Sequence, residues 1–232
     1  MLSVAILSGG LATRLHPITL SIPKSLVDVA GKPFIVRQLS YLRKQGISHV
    51  VLCLGNLGDM IRDVVGSGEN FGLKVSYSID GPNLLGTGGA LAKASSLLDD
   101  EFFVLYGDSF LPVNFSMVQE AYQKSKKPAM MTVLKNQNQW DKSNVLFLNG
   151  QLIEYNKRAP RPEMIYVDYG LGVVAASVLK KRPVGQSFDL ADVYQDLSLQ
   201  GQLAGLEVHE RFYEIGSHAG LKETEDYFLS KE

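Results

Sequence analysis

Two adjacent glycines, Gly9 and Gly10, follow the apolar run Val4-Ala5-Ile6-Leu7, with Thr13, Arg14 and then Pro23-Lys24 behind them. Glycine lets backbone N–H groups come close to an anion. A guanidinium and an ammonium add charge-assisted hydrogen bonds to the same oxygens. The combination suits a phosphate group. It is not the Walker loop, which ends in Gly-Lys-Ser/Thr, nor the Gly-x-Gly-x-x-Gly of dinucleotide folds. Two glycines alone could mark no more than a tight turn; the cations and prolines beside them favour a ligand loop. A second glycine-rich stretch, Gly86-Thr87-Gly88-Gly89-Ala90, opens a helix and so could leave N–H groups free for a ligand. Its structural alternative is an ordinary helix start. A third feature is Asp108, in Leu105-Tyr106-Gly107-Asp108-Ser109, just past a very apolar strand. An acid there is placed to hold Mg²⁺, a hard ion that takes carboxylate and phosphate oxygens, unless it only caps the next loop.

The elements that must position these residues alternate along the first half. Strands are predicted over 3–7, 49–54, 73–78 and 102–106, and helices over 33–45, 57–65 and 88–98. Strands apolar throughout and separated by helices imply a mainly parallel sheet covered on both faces. The second half reads as richer in β-structure, with strands over 129–134, 145–148, 151–155, 167–176 and 203–209, and helices over 189–199 and 220–229. Asn149-Gly150 marks a hairpin, because both residues tolerate positive φ. The stretch 157–162, Lys-Arg-Ala-Pro-Arg-Pro, reads as a mobile basic lip. The expected fold is α/β, Rossmann-like, with a mixed, mainly parallel sheet between helices and a smaller β-rich lobe. One domain is expected over 1–232, with a core mainly in 1–115 and the lobe in 116–232.

Composition narrows the function classes. The 232 residues carry a net charge of −1, so no global field recruits nucleic acid or an anionic membrane. Cys53 is the only cysteine, which excludes an intramolecular disulfide, and it sits in an apolar run as a small core residue. No apolar run approaches the ~20 residues of a membrane span. The four histidines have no metal-ligand spacing. With neither a signal-peptide pattern nor a span, a cytoplasmic protein is the expectation.

The first stretch, Leu7 to Pro17 with Pro23-Lys24-Ser25-Leu26, resembles the signature of the sugar-1-phosphate nucleotidylyltransferases, Gly-Gly-x-Gly-Thr-Arg-Leu-x-Pro followed by Pro-Lys-Pro-Leu. Short bacterial members acting on heptose, mannose or N-acetylmuramate phosphates are the most similar. Ala12 stands where the family has its third glycine, and Ser25 where it has a proline. The resemblance implies a nucleotide site of Leu7, Gly9, Gly10, Thr13, Asp80, Gly86, Thr87 and Gly88, with Arg14 and Lys24 as catalytic cations. Asp80 corresponds to a base-reading position, where a carboxylate accepts from guanine N1–H and N2–H₂ or from a pyrimidine N3–H; a turn residue is the alternative. Asp108 and Glu214 correspond to the family's two metal acids, and Mg²⁺ is the implied cofactor. Glu214 is one methylene longer than the family's aspartate and stands before a Gly-Ser helix start, so a structural role is the alternative. Asn144, Lys157, Arg158, Asp168 and Gly170 correspond to the sugar-phosphate side. There the family's Glu-Lys-Pro is missing, and either Lys157 or Arg158 could be the gripping cation.

The resemblance further implies transfer of a nucleotidyl group from an NTP to a sugar 1-phosphate, giving an NDP-sugar and pyrophosphate. GTP is favoured, then UTP or dTTP. A non-catalytic NDP-sugar-binding regulator of the same fold and a nucleotide-sugar glycosyltransferase are the other readings. Neither nucleic acid nor membrane is an expected partner.

Overall fold

The computed structural model describes residues 1–10, 13–180, 182 and 185–231. Ala12, with its departure from the family pattern, lies outside them. The chain begins with β1 (Val4–Ser8), short 3₁₀ turns over Thr13–Leu15 and Lys24–Leu26, the ribbon β2 (Asp28–Val29) and β3 (Lys32–Pro33), then α1 (Phe34–Lys44), β4 (His49–Leu54) and α2 (Gly58–Val65). It continues through β5 (Lys74–Ile79), α3 (Gly86–Ala94), β6 (Glu101–Tyr106), β7 (Ser109–Phe110) and α4 (Phe115–Ser125). The second half holds β8 (Ala129–Lys135), β9 (Val145–Leu148), β10 (Gln151–Tyr155), β11 (Tyr166–Ala175), α5 (Ala176–Leu179), α6 (Leu190–Leu199), β12 (Leu203–Val208), β13 (Tyr213–Glu214) and α7 (His218–Leu229).

β1, β4, β5 and β6 pair in parallel, in the order β6-β1-β4-β5. Antiparallel β11 joins them along β6 and continues to β8 and β9, so one mixed nine-stranded sheet spans both halves. Alternation along the strands divides the core between the two faces. Val4 and Ile6 pack with Ile35, Leu39 and Phe115 on the α1 and α4 side. Ala5 packs with Leu91, Leu190 and Tyr194 on the α3 and α6 side. The Rossmann-like α/β expectation is therefore met.

Local signals behave as the residue types require. α1 starts after Pro33, whose φ of −52° suits a helix entry, and buries Phe34, Ile35, Gln38, Leu39 and Leu42. It ends before Gly46, at φ +83°. Asn149 and Gly150 both take positive φ and turn β9 into β10. β11 shifts register between Asp168 and Gly172, where Gly170 sits at φ +100°, so a bulge bends the strand at an expected site residue. α4 was not expected. Asn114 caps it by accepting from Met117 N–H, and Phe115, Val118 and Tyr122 are its buried face. Among the described residues no helix is long and apolar enough to cross a membrane.

Candidate active site

The parallel strands deliver their carboxyl ends to a cleft of about 250 Å³, whose lining includes Ser8, Gly10, Lys24, Asp80, Thr87 and Asp108. Ligands of open α/β sheets bind in this position. Leu7 and Gly9 line it at the end of β1, and Gly10 is exposed, with nothing among the described residues within 4 Å of where a methyl group would project. Lys24 enters on the 3₁₀ turn after Pro23, and its Nζ donates to Asp108 Oδ2 at 2.8 Å. Their side chains keep 17% and 29% exposure, so the pair is partly sheltered yet open to a ligand.

The Asp108 turn is held from behind. Gly107 N–H donates to Leu7 C=O at 2.9 Å, and Gln38 Nε2 donates to the carbonyls of Tyr106 and Ser109 at 2.9 and 2.7 Å. Gln38 was missed from sequence. Its signal is a lone amide within the buried stripe of α1. Ser8 was missed as well; its buried hydroxyl borders the cleft and has no hydrogen-bond partner among the described residues.

On the opposite wall, Asp80 follows β5. Its Oδ2 accepts from Leu85 N–H at 3.0 Å, while Oδ1 is buried without a partner among the described residues. A buried acceptor left unpaired costs about 1–3 kcal/mol, so a ligand N–H would be welcome there. Burial, with a smaller push from the Asp80 charge, raises the Cys53 thiol to about 12, which keeps it protonated.

The glycine-rich start of α3 differs from its expectation. Gly88 and Gly89 N–H groups both donate to Phe188 C=O, at 3.0 and 3.3 Å. They are not free for a ligand. A methyl at Gly88 would overlap the Phe188 ring, and one at Gly86 would lie 2.6 Å from Phe188 C=O. These glycines admit the segment before α6. Thr87 seals the contact, donating to Asp189 Oδ1 at 2.6 Å and accepting from Leu190 N–H at 2.8 Å. Gly86 and Thr87 still line the cleft.

On the lobe side, Asp168 Oδ1 accepts from Gly170 N–H at 3.0 Å across the bulge, and Asn144 Oδ1 accepts from Asp168 N–H at 3.0 Å. Asn144 thus orients Asp168. Burial raises the Asp168 carboxyl to about 6, against the opposing Gly170 hydrogen bond and the Lys157 charge. Tyr106, Tyr155 and Tyr194, all unanticipated, feel its charge; burial and then the Asp168 charge push each phenol up. The basic lip is less free than expected. Arg158 pairs with Asp192 at 2.7 Å and Arg161 with Glu154. Lys157 instead acts on both Asp168 and Asp189.

A phosphate-ready loop, a cation–acid pair and an unpaired carboxylate thus share one cleft. Residues 3–143 match the family described as Nucleotidyl transferase. The chain belongs to that family. Among relatives of this chain, the mannose-1-phosphate guanylyltransferase catalytic subunit beta of Xenopus tropicalis is 28% identical over 218 residues, covering 91% of this chain. The chain spans 60% of that relative's length. The D-glycero-alpha-D-manno-heptose 1-phosphate guanylyltransferase of Campylobacter jejuni is 28% identical over 225 residues, covering 97% of this chain and 91% of the relative. In three dimensions HddC from Yersinia pseudotuberculosis superposes with a TM-score of 0.81 at 23% identity, covering 98% of this chain and all of that one. That likeness establishes a shared fold.

Asp108 and Glu214 are close in backbone and divergent in side chain. β13 pairs with β7, setting Glu214 opposite Ser109, and Ile215 N–H donates to Asp108 C=O at 2.9 Å. Asp108 faces the cleft. Glu214 turns to the first turn of α7, where its Oε2 accepts from Gly216 N–H and its Oε1 from the Ser217 hydroxyl at 3.2 Å. Thr13 and Arg14 are exposed on their 3₁₀ turn, and Arg14 Nη2 lies 3.0 Å from where a methyl on Gly216 would project. The donor set fits a Mg²⁺ held mostly by phosphate oxygens. Asp108 offers a carboxylate, and among the described residues no group of three or more His, Cys, Asp and Glu could hold a metal.

Proposed function

We propose that the protein transfers a nucleotidyl group from an NTP to a sugar 1-phosphate, forming an NDP-sugar and releasing pyrophosphate. The observation that carries this reading is the Lys24–Asp108 pair, 2.8 Å apart at the cleft floor between the phosphate loop and the Asp80 wall. The names of the relatives, sugar-1-phosphate guanylyltransferases, support it.

In this reading the NTP lies with its phosphates over Gly9 and Gly10 and its base toward Asp80. Arg14 gathers the departing phosphates. Lys24 swings from Asp108 to the reacting phosphate oxygens, supplying charge where it develops. The attacking sugar phosphate is already ionised, so no side chain acts as general base, and positioning dominates. A Mg²⁺ held by Asp108 and substrate phosphates would offset negative charge at the α-phosphate. Lys157 grips the sugar phosphate, because Arg158 is committed to Asp192. Asp168 accepts from sugar hydroxyls, with Asn144 and Gly170 fixing its orientation.

Asp80 Oδ1 selects a base that presents an N–H. Guanine N1–H is the first choice, uracil or thymine N3–H the second. Cytosine N3 and adenine N1 are acceptors and would leave two acceptors facing each other, for a discrimination of about 5- to 150-fold. The test is a panel of five NTPs against a set of sugar 1-phosphates, with pyrophosphate release as readout, with and without chelator. Pyrophosphate release with GTP that stops on chelation is expected. No release with any pair would remove the reading, and efficient use of CTP or ATP would detach Asp80 from the base.

A further inference from the structure

Glu214 sits one hydrogen-bonded residue from Asp108, yet its carboxylate is built into another place. Its Oε2 and Oε1 take the Gly216 N–H and the Ser217 hydroxyl at the open end of α7. That end carries partial positive charge and favours a carboxylate. The seat is shaped to it. A methyl on Gly220 would overlap Glu214 Oε1, and a methyl on Gly216 would overlap Oε2. Arg14 Nη2 lies 3.0 Å from the same methyl position on Gly216, so guanidinium and carboxylate approach the same side of one glycine. A second contact joins the same elements, His218 Nε2 facing His16 C=O at 3.4 Å. Thr224 Oγ1, with a single proton to give, lies 2.7 Å from Gly220 C=O and 3.1 Å from Glu214 C=O.

We propose that Glu214 is a positioning residue for Arg14, docking the phosphate loop on the first turn of α7, and not a second metal ligand. Length is the reason. A carboxylate one methylene shorter, starting from the same β13 backbone, draws the charge back from Arg14, although it can still accept from an N–H two residues on, as Asp168 does from Gly170. The additional methylene of glutamate carries the charge past the ribbon into the seat that Gly216 and Gly220 leave open. The consequence is electrostatic. Arg14 is exposed on a single 3₁₀ turn and would otherwise sample many rotamers. A fixed anion beside it lowers the entropy lost when it meets a phosphate.

This inference rests on Arg14 binding substrate phosphates, and its test separates the two. The probe is inorganic pyrophosphate, titrated calorimetrically into the whole protein in chelator, where a metal ligand has no part. Glu214→Asp and the isosteric Glu214→Gln are each expected to weaken binding about three- to tenfold, and neither to add to the loss in an Arg14→Ala background, the coupling expected if the Glu214 charge acts through Arg14. In turnover, the Mg²⁺ concentration for half-activation should stay within about twofold of wild type, with the loss appearing in the KM for NTP. Glu214→Asp that binds and turns over as well as wild type would overturn the proposal. So would a shifted Mg²⁺ requirement, or an equal loss with and without Arg14. Should Glu214→Asp fail to fold, Glu214→Gln, which keeps an acceptor for Gly216 N–H, carries the test. If Arg14→Ala itself leaves pyrophosphate affinity unchanged, the phosphate assignment of Arg14 falls, and the docking role of Glu214 with it.

Discussion

Gly10 and Gly88 both belong to glycine-rich turns bordering one cleft, yet a methyl group would meet nothing among the described residues within 4 Å at the first and the ring of Phe188 at the second. Gly10 stands clear of the described residues, so its backbone can face a ligand. The second is closed by the protein itself, because Phe188 C=O takes the Gly88 and Gly89 N–H groups and Thr87 is bonded to Asp189. Similar composition therefore answers two different demands, access for an anion and close packing between α3 and the segment that leads into α6. One wall of the cleft is chemical; the other is a joint that carries Asp80 on one flank and leads to the Asp168 lobe on the other.

The largest expected effect lies on the open side. Lys24→Ala and Asp108→Asn should each lower kcat by about 10²-fold or more, the scale of losing a preorganised charge partner. Their melting temperatures should stay near wild type, since a partly exposed ion pair contributes only about 0–1 kcal/mol. Pyrophosphate-release kinetics beside thermal melts check both halves. Near-wild-type turnover in either variant would break the division between the walls.

Next comes the pair of glycines themselves. Gly88→Ala forces a methyl into the Phe188 ring, and overpacking of a filled site costs about 1–3 kcal/mol. Gly10→Ala should change stability by less than about 0.5 kcal/mol while weakening NTP binding, because the methyl crowds the anion. Denaturant titration and nucleotide binding on both variants give the comparison directly. Equal destabilisation by the two substitutions would show that the loops do not differ as described.

Why one loop was legible in the sequence and the other was not follows from range. Gly9-Gly10 with Arg14 and Lys24 is a local pattern, and the strand before it shows its apolar run openly. The partner of Gly88 lies a hundred positions on, and no spacing of glycines announces a carbonyl at Phe188. The same holds for Lys157 and Arg158. Two adjacent cations look equivalent until Asp192 on α6 takes one of them. α4 escaped because Met117 stands exposed beside the buried Phe115, Val118 and Tyr122 and blurs the helical period. β7 and β13 are two residues each, too short for alternation, and they set the backbone of Glu214 beside Asp108. Gly-Asp at the end of β6 was readable because a very apolar run ending in a carboxylate has few structural uses.

A smaller effect sharpens the joint. Thr87→Val keeps the shape of the side chain but removes its bonds to Asp189 and Leu190 N–H. A loss of about 1–2 kcal/mol is expected. If the joint links nucleotide and sugar sides, the KM for sugar 1-phosphate should rise more than the KM for NTP. A pure stability loss, with both constants unchanged, would confine Thr87 to packing.

The last effect is a dependence on pH at the far end of the closed wall. Burial raises the Asp168 carboxyl from its ordinary 3.8 to about 6, with the Gly170 hydrogen bond and the Lys157 charge opposing. Between those two values the folded chain holds a proton that the unfolded chain has released. Stability contributed by this group therefore falls as pH rises through that window, and the full penalty is present above it. Asp168→Asn removes the titration while leaving an acceptor for Gly170 N–H. The variant should melt above wild type at a pH of about 7.5, and the gap should narrow as pH drops toward about 4, where the folded carboxyl is protonated and the unfolded one has begun to be. The same substitution should raise the KM for sugar 1-phosphate, since an amide replaces an acceptor-only carboxylate with a group that is half donor. A melting difference that does not vary with pH would mean that Asp168 is ionised at no cost, and its enclosure would then be looser than the structure draws it.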